Sequence, residues 1–256
     1  MREHNNMYMI NINRYQTQFG KICCLPNDFE FVNAMSLGKM YEEDLVLSTI
    51  VPLFDKSQKY VILDVGAHVG SHSVMYSKSI PNCEILSFEP QSVLHDILSK
   101  NICDNDIRNC TIYNNAVGHK SMQTNMIKSF NQDGKDYLIE YSNANCGLNY
   151  GAIGLGEGGE NVNMITIDSL DLKQCDYIKI DVEGAEILVL MGALNTINRF
   201  HPMIFFEENG LSVTDAMVKS MNIDFQCDTP RNFLTQHGYT VIKVNECNCL
   251  AIYSAN

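Results

Sequence analysis

The stretch Tyr60-Val-Ile-Leu-Asp-Val-Gly-Ala-His-Val-Gly70 decides the fold. Tyr60 to Val65 is a continuous aliphatic and β-branched run, the pattern of a strand covered on both faces in a parallel sheet. Gly66 and Gly70 then punctuate a turn, and Ser71 to Lys78 reads as a helix. A buried strand, a glycine turn and a helix in that order build a nucleotide-type binding turn. Glycine lets backbone approach a ligand closely, and a helix N-terminus favours negative charge. The dinucleotide fingerprint G-x-G-x-x-G puts its second glycine where backbone meets pyrophosphate. That position here is His68, which disfavours NAD or FAD and leaves a nucleoside without phosphates as the better fit.

Outward from this unit, Glu84 to Glu89 predicts a second strand ended by Pro90. Gln91 to Cys103 predicts a helix, with Val93, Leu94, Ile97, Leu98 and Ile102 at helical spacing. Cys110 to Asn114 predicts a third strand. This β-α-β-α-β order implies right-handed crossovers and a doubly wound α/β sheet. The order lapses over residues 119–167, where strand-like pieces near Met122–Lys128 and Val162–Ile167 flank a loop. Gly147 to Gly159 holds six of the 16 glycines and neither Lys nor Arg, so it is a poor phosphate cradle. It reads first as a mobile surface loop, and second as a lid over a substrate cleft. Tyr177–Val182 and Met203–Glu207 predict further strands around a helix over Glu183–Arg199. Thr214–Met221 and Pro230–Gln236 read as helical, and Tyr239–Val244 with Leu250–Ser254 as a terminal hairpin. Before the first strand, Gly20–Leu25 reads as a strand and Tyr41–Leu53 as a helix. The expected organisation is an N-terminal extension, 1–40, packed on a domain, 41–256, that carries an inserted Gly-rich loop at about 143–161.

Composition narrows the partners. With 18 Lys and Arg against 30 Asp and Glu, the net charge of −12 argues against nucleic acid and against anionic membrane surfaces. No apolar run approaches the ~18 residues of a membrane span, and the N-terminus carries no signal-peptide core. The ten cysteines are irregularly spaced, so reduced thiols and a cytoplasmic setting are expected. Cys247-x-Cys249 reads as strand rather than as half a metal site.

S-adenosylmethionine is a nucleoside ligand without phosphates. The turn from Gly66 through Ala67 and His68 to Gly70 is placed to cradle it. Asp64, at the end of the first strand, is placed for the methionine ammonium, and Glu89, at the end of the second, for the ribose hydroxyls. As a strand-tip residue, Glu89 is expected to matter little to stability. Asn115 and Ala116, past the third strand, are placed for the adenine edge.

Taken together, Val61-Ile-Leu-Asp-Val-Gly-Ala-His-Val-Gly70, Phe88-Glu-Pro90, Asn115-Ala-Val-Gly118, Ile165-Thr-Ile-Asp-Ser-Leu170, Tyr177-Ile-Lys-Ile-Asp-Val-Glu-Gly-Ala-Glu186 and Leu190-Met-Gly-Ala193 make the chain resemble the FkbM-type methyltransferases over roughly residues 36–210. The Lys179-Ile-Asp-Val-Glu-Gly184 segment is the specific part of the match. The resemblance implies a Rossmann-like class I methyltransferase fold, a mostly parallel seven-stranded sheet with a C-terminal antiparallel hairpin. It also implies transfer of a methyl group from S-adenosylmethionine to a hydroxyl of a sugar, glycan or small molecule. Many members carry Asn where this chain has His68.

Methyl transfer to a hydroxyl needs an acceptor held in line with the S–CH₃ bond and a group that takes its proton. Asp181, at a strand tip where ligands bind in open α/β sheets, is one catalytic candidate, as base, cation ligand or donor anchor. His72, in the first helical turn after Gly70, is the other. Glu183, Glu207, Glu208 and Asn209 crowd neighbouring tips and raise the option of a divalent cation, but no metal is expected. His201 reads as a helix-end residue and His237 as a last-turn cation. The competing readings are a nucleotide-dependent oxidoreductase and a non-catalytic S-adenosylmethionine-binding module. Oligomeric state and acceptor identity are not encoded in these patterns.

Overall fold

The computed structural model describes residues 11–132, 135–139, 150–208 and 229–254. A hairpin of β1 (Asn13–Thr17) and β2 (Gly20–Cys24) leads into α1 (Phe29–Ser36). The segment expected to be one helix over Tyr41–Leu53 is instead three short helical turns, Glu43–Leu45, Val46–Ile50 and Val51–Leu53. Pro52 has no N–H to donate, and the middle turn is wound more loosely, as a π-helix.

The core alternation follows as read: β3 (Tyr60–Val65), α2 (Ser71–Ser79), β4 (Cys83–Phe88), α3 (Ser92–Asp104) and β5 (Cys110–Tyr113). A separate four-stranded sheet then forms from β6 (Ala116–Val117), β7 (Met122–Ile127), β10 (Leu155–Gly156) and β11 (Gly158–Ile165). The small hairpin of β8 (Ser129–Gln132) and β9 (Lys135–Leu138) lies between β7 and β10 in sequence. The main sheet resumes with β12 (Tyr177–Ile180). It is followed by α4 (Glu186–Met191), α5 (Leu194–Phe200), β13 (Met203–Glu207), α6 (Pro230–Gln236), β14 (Tyr239–Lys243) and β15 (Asn248–Tyr253).

Seven strands share the main sheet in the order β14-β15-β13-β12-β3-β4-β5. The pairs from β13 to β5 are parallel, and β15 pairs antiparallel with both β13 and β14. Alternation along each strand explains the layering. On β3, Ile62 packs into one apolar cluster with Val74, Met75, Leu98 and Ile102 from α2 and α3. Leu63 and Val65 face the other cluster, with Val189, Leu190, Ile197 and Leu234 from α4, α5 and α6.

The expected helix over Glu183–Arg199 differs in two respects. Glu183 and Gly184 have φ of 55° and 92°, which postpones the start to Glu186. It is also divided at Gly192, where a Cβ would stand 1.9 Å from the Gly118 carbonyl oxygen. That close approach needs the bare backbone, and Asp168 then takes the N–H groups of Asn195 and Thr196 at 3.0 and 2.8 Å to start α5. The helix expected at Thr214–Met221 lies outside the described residues. Among the described residues, no helix is long and apolar enough to cross a membrane, and the eight cysteines are free thiols.

Two buried asparagine contacts seat the N-terminal hairpin. Asn101, wholly buried on α3, accepts from the Cys23 amide at 2.7 Å and donates to the carbonyls of Cys23 and Val69 at 2.9 and 2.8 Å. Asn105 accepts from the Lys21 amide at 3.0 Å.

Candidate active site

Parallel strands end on one edge of the sheet, and there β3, β4, β12 and β13 deliver Val65, Phe88, Asp181 and Glu207 to a cavity of about 530 Å³. That size suits a small ligand plus part of a second. Four segments outside the strands close it: the turn after β3, residues Glu30 to Glu42 of the N-terminal region, Gly151–Leu155, and Asn245–Asn248 of the β14–β15 turn.

The glycine turn is built by two positive-φ glycines with different duties. Gly66 has φ of 79°, and a Cβ on it would lie 1.8 Å from the Asp181 carbonyl oxygen, so the turn presses directly on β12. Gly70 has φ of 88° and packs against Leu98, with no surface on the cavity. Gly66, Ala67 and His68 line the wall.

Asp64 stands behind that wall. It is fully buried, accepts from Ser73 Oγ at 2.5 Å, and lies 3.6 Å from Lys179 Nζ. Lys179 is the hub of this layer. It donates to the Gly66 carbonyl at 2.7 Å and lies 3.2 Å from Asp181 Oδ2. Burial acts to lower the Lys179 pKa, but the carboxylates of Asp181 and Asp64 outweigh it and hold the ammonium above its usual range.

Glu89 is buried yet lines the cavity. Its Oε2 accepts from the His68 amide at 2.9 Å and its Oε1 from the Gln91 amide at 2.8 Å. Burial raises its pKa against the opposing pull of His68 and these amides. Glu89 thus accepts from two buried backbone donors, a structural duty that a strand tip alone does not predict.

His68 sits at φ of 52° and its ring leaves the turn for the N-terminal segment. It stacks on Phe31, centroid to centroid 4.2 Å, and Phe31 stacks on Tyr41 at 4.6 Å. His68 Nε2 lies 3.1 Å from buried Asp28 Oδ2 without an aligned hydrogen bond. Burial lowers its pKa, but Asp28 outweighs burial and the net direction is up.

His72 lines the cavity from the first turn of α2, and its Nε2 is 3.2 Å from Glu42 Oε2. Glu42 Oε1 accepts from Asn248 Nδ2 at 3.1 Å. Burial acts to raise Glu42, but the neighbouring His72 prevails and holds it below the usual carboxylate range.

Asp181, Glu183 and Glu207, all lining the cavity, approach one another, with an oxygen from each within 4.8 Å of the others. Burial, then the charges of Asp181 and Glu207, push Glu183 up to about 9. Glu186 Oε1 accepts from the Val182 and Gly184 amides, both at 3.2 Å, and so fixes the turn that presents Glu183. Glu208, expected near this cluster, turns instead to Arg231, with Oε2 2.7 Å from Nη2. Asn209 lies outside the described residues.

The expected surface loop is corrected where it is described. Tyr150, Ile153 and Leu155 are buried, and Gly151–Leu155 form part of the cavity wall. Asn115 and Ala116 also line the cavity, with Asn115 Nδ2 donating to the Asn163 carbonyl at 3.1 Å. The sequence reading missed Glu42, Tyr41 and Asn248, which lie in segments without a motif. It also gave Lys179 no role, although a lysine inside an aliphatic strand signals a buried partner.

A Rossmann-like sheet carries a cavity rich in carboxylates at the tips of its parallel strands. Residues 64–241 match the model of the methyltransferase FkbM domain, and the chain belongs to that family of methyltransferases. Its cofactor is S-adenosylmethionine. The chain is 26% identical over 153 residues to methyltransferase sdnD of Sordaria araneosa, covering 51% of this chain and 59% of that one. It thus spans about three fifths of the length of that curated relative. The crystal structure of methyltransferase FkbM from Methylobacillus flagellatus is similar at 15% identity and a TM-score of 0.47, over 76% of this chain and 44% of that one. Precorrin-6y C5,15-methyltransferase from Geobacter metallireducens is similar at 17% identity and a TM-score of 0.46, over 89% and 96%.

Proposed function

We propose that the protein transfers a methyl group from S-adenosylmethionine to a hydroxyl of a sugar, glycan or small molecule, with His72 as the general base. The observation that carries this reading is the His72–Glu42 pair. It puts an imidazole and its carboxylate partner on the cavity wall, on the same turn-and-helix unit that bears the donor turn.

The residues present fit the donor. Each Glu89 oxygen accepts one backbone N–H and keeps lone-pair capacity for a ribose hydroxyl. Lys179 is the lysine or arginine on the cavity wall among the described residues, and it is already committed to Gly66 and Asp181. No free cation there solicits a phosphate, which disfavours the oxidoreductase reading. Glu89 would hold the ribose, Asn115 and Ala116 the adenine, and Gly66 with Asp181 the methionine end. Asp64, sealed behind the wall, acts through Lys179. When bound, S-adenosylmethionine supplies an electrophilic methyl group on a sulfonium.

The chain's own residues do the rest. The walls exclude water and hold the acceptor oxygen in line with the methyl carbon, the positioning term of the rate. His72 takes the hydroxyl proton as the new C–O bond forms and the S–C bond breaks, a step worth about 10²–10⁴-fold. A soluble-protein assay with labelled donor against a set of glycans and small polyols, read by mass spectrometry, tests this. Label on a hydroxyl oxygen, lost in His72→Asn, supports it. Label appearing only on nitrogen or carbon acceptors overturns it.

A further inference from the structure

Part of the cavity wall comes from residues outside the family match at 64–241. Glu30, Phe31, Tyr41 and Glu42 precede it, and Asn245–Asn248 follow it. Two of these residues meet each other and the catalytic helix. Glu42 Oε2 lies 3.2 Å from His72 Nε2, and Glu42 Oε1 accepts from Asn248 Nδ2 at 3.1 Å. Building on the reading of His72 as the base, we propose that Glu42 is its positioning residue, and that Asn248 locks Glu42 from the C-terminal hairpin.

The backbone argues that this placement is not incidental. Glu42 has φ of 56°, a left-handed conformation that a non-glycine residue adopts at a cost. Its neighbour Glu43 has a separate structural duty. Glu43 Oε2 accepts from the Met40 amide at 2.9 Å, and its Oε1 accepts from Gln18 Nε2. The strained turn thus splits two adjacent carboxylates, one to hold the local chain and one to face the cavity.

The chemistry of the pair is directional. A carboxylate accepts only, so the imidazole nitrogen that faces it must carry the proton. Nε2 is buried without an aligned hydrogen bond, and Glu42 Oε2 at 3.2 Å is the acceptor beside it. Such contacts are often loose before substrate binds. With hydrogen on Nε2, the lone pair is on Nδ1, and Nδ1 accepts the hydroxyl proton. The imidazolium then formed has its positive charge against the Glu42 carboxylate. The acceptor oxygen gains the methyl group, S-adenosylhomocysteine leaves as a neutral thioether, and charge balances. Tyr76 on the same helix, 5.8 Å from the His72 ring, is a phenol held protonated by burial and does not compete for this role.

The test reads the proton directly and needs no acceptor. The full-length protein is labelled with ¹⁵N-histidine, S-adenosylhomocysteine is added, and two-bond ¹H–¹⁵N spectra are recorded above the pH where histidine protonates. His72 is assigned by its loss in His72→Asn. The expected result is the Nε2–H tautomer in the wild type. In Glu42→Gln the amide can donate to Nε2, and the expected result is a shift of the proton to Nδ1. With an acceptor found by the labelled-donor screen, Glu42→Gln should lower kcat by about 10²-fold and leave donor KM unchanged within about twofold, the signature of lost base orientation. A wild-type Nδ1–H tautomer overturns the proposal whether or not the variant folds. So does a Glu42→Gln spectrum identical to the wild type. The tautomer experiment does not depend on methyl transfer, so an Nε2–H tautomer beside a screen without hydroxyl products sinks the function and not the pairing.

Discussion

Lys179 Nζ donates to the Gly66 carbonyl at 2.7 Å and so joins one strand to the glycine turn that follows another. The ammonium is nearly sealed from water and balances two carboxylates, Asp64 and Asp181. A buried charge group of this kind is costly to break on one side only. Replacing Lys179 with Met should therefore destabilise the fold by about 3–5 kcal/mol, because Asp64 is left charged and unpaired in a dry layer. Urea unfolding of the two proteins measures this. A loss under about 1 kcal/mol would mean that Lys179 is no hub.

Asn101 carries the attachment of the N-terminal hairpin. Three of its bonds are to buried backbone groups of Cys23 and Val69. Asn101→Leu keeps the volume and removes the bonds, at a cost of at least about 2 kcal/mol, since each orphaned buried group costs ~1–3 kcal/mol. Affinity for S-adenosylhomocysteine should fall as well if the proposed donor site is right, because Val69 belongs to the glycine turn at the cavity wall. Thermal melts with and without S-adenosylhomocysteine report both effects, and an unchanged melt would assign the seating to apolar packing alone.

Glu183 gives the fold a pH dependence of known sign. Its ordinary value of 4.5 is pushed up to about 9 in the folded chain, so it stays neutral there while the unfolded chain ionises. The unfolded state then binds fewer protons, and stability falls as pH rises between these two values. Glu183→Gln keeps the neutral form at every pH. The difference in melting temperature between variant and wild type should grow in the variant's favour from pH 5 to pH 9, and a constant difference would remove this carboxyl from the cluster.

The main sheet was legible because its strands are unusually explicit. Tyr60–Val65 and Tyr177–Ile180 are aliphatic runs covered on both faces, and Gly66 and Gly70 mark the turn between strand and helix. Glu89 and Asp181, at the tips of Cys83–Phe88 and Tyr177–Ile180, were legible as cavity residues for the same reason. Asp64 was not legible in its surroundings: it is the penultimate residue of a strand that ends at the cavity, but its side chain faces the Ser73 and Lys179 layer behind the wall. The contact of Glu42 with Asn248 was not legible. Glu42 and Asn248 lie 206 positions apart in sequence and meet only through tertiary packing. No local period or motif records such a pairing. The break at Gly192 was hidden too, because the helical spacing runs through it and only the Gly118 carbonyl demands the gap.

The central claim is that S-adenosylmethionine binds in this cavity against Glu89, and calorimetric titration with S-adenosylhomocysteine tests it most directly. One molecule should bind per chain, NADH should give no heat, and Glu89→Gln should weaken binding by about 1.5–3 kcal/mol, the worth of hydrogen bonds to a charged group. Binding of NADH with none of S-adenosylhomocysteine, or an affinity untouched by Glu89→Gln in a folded variant, would contradict the account.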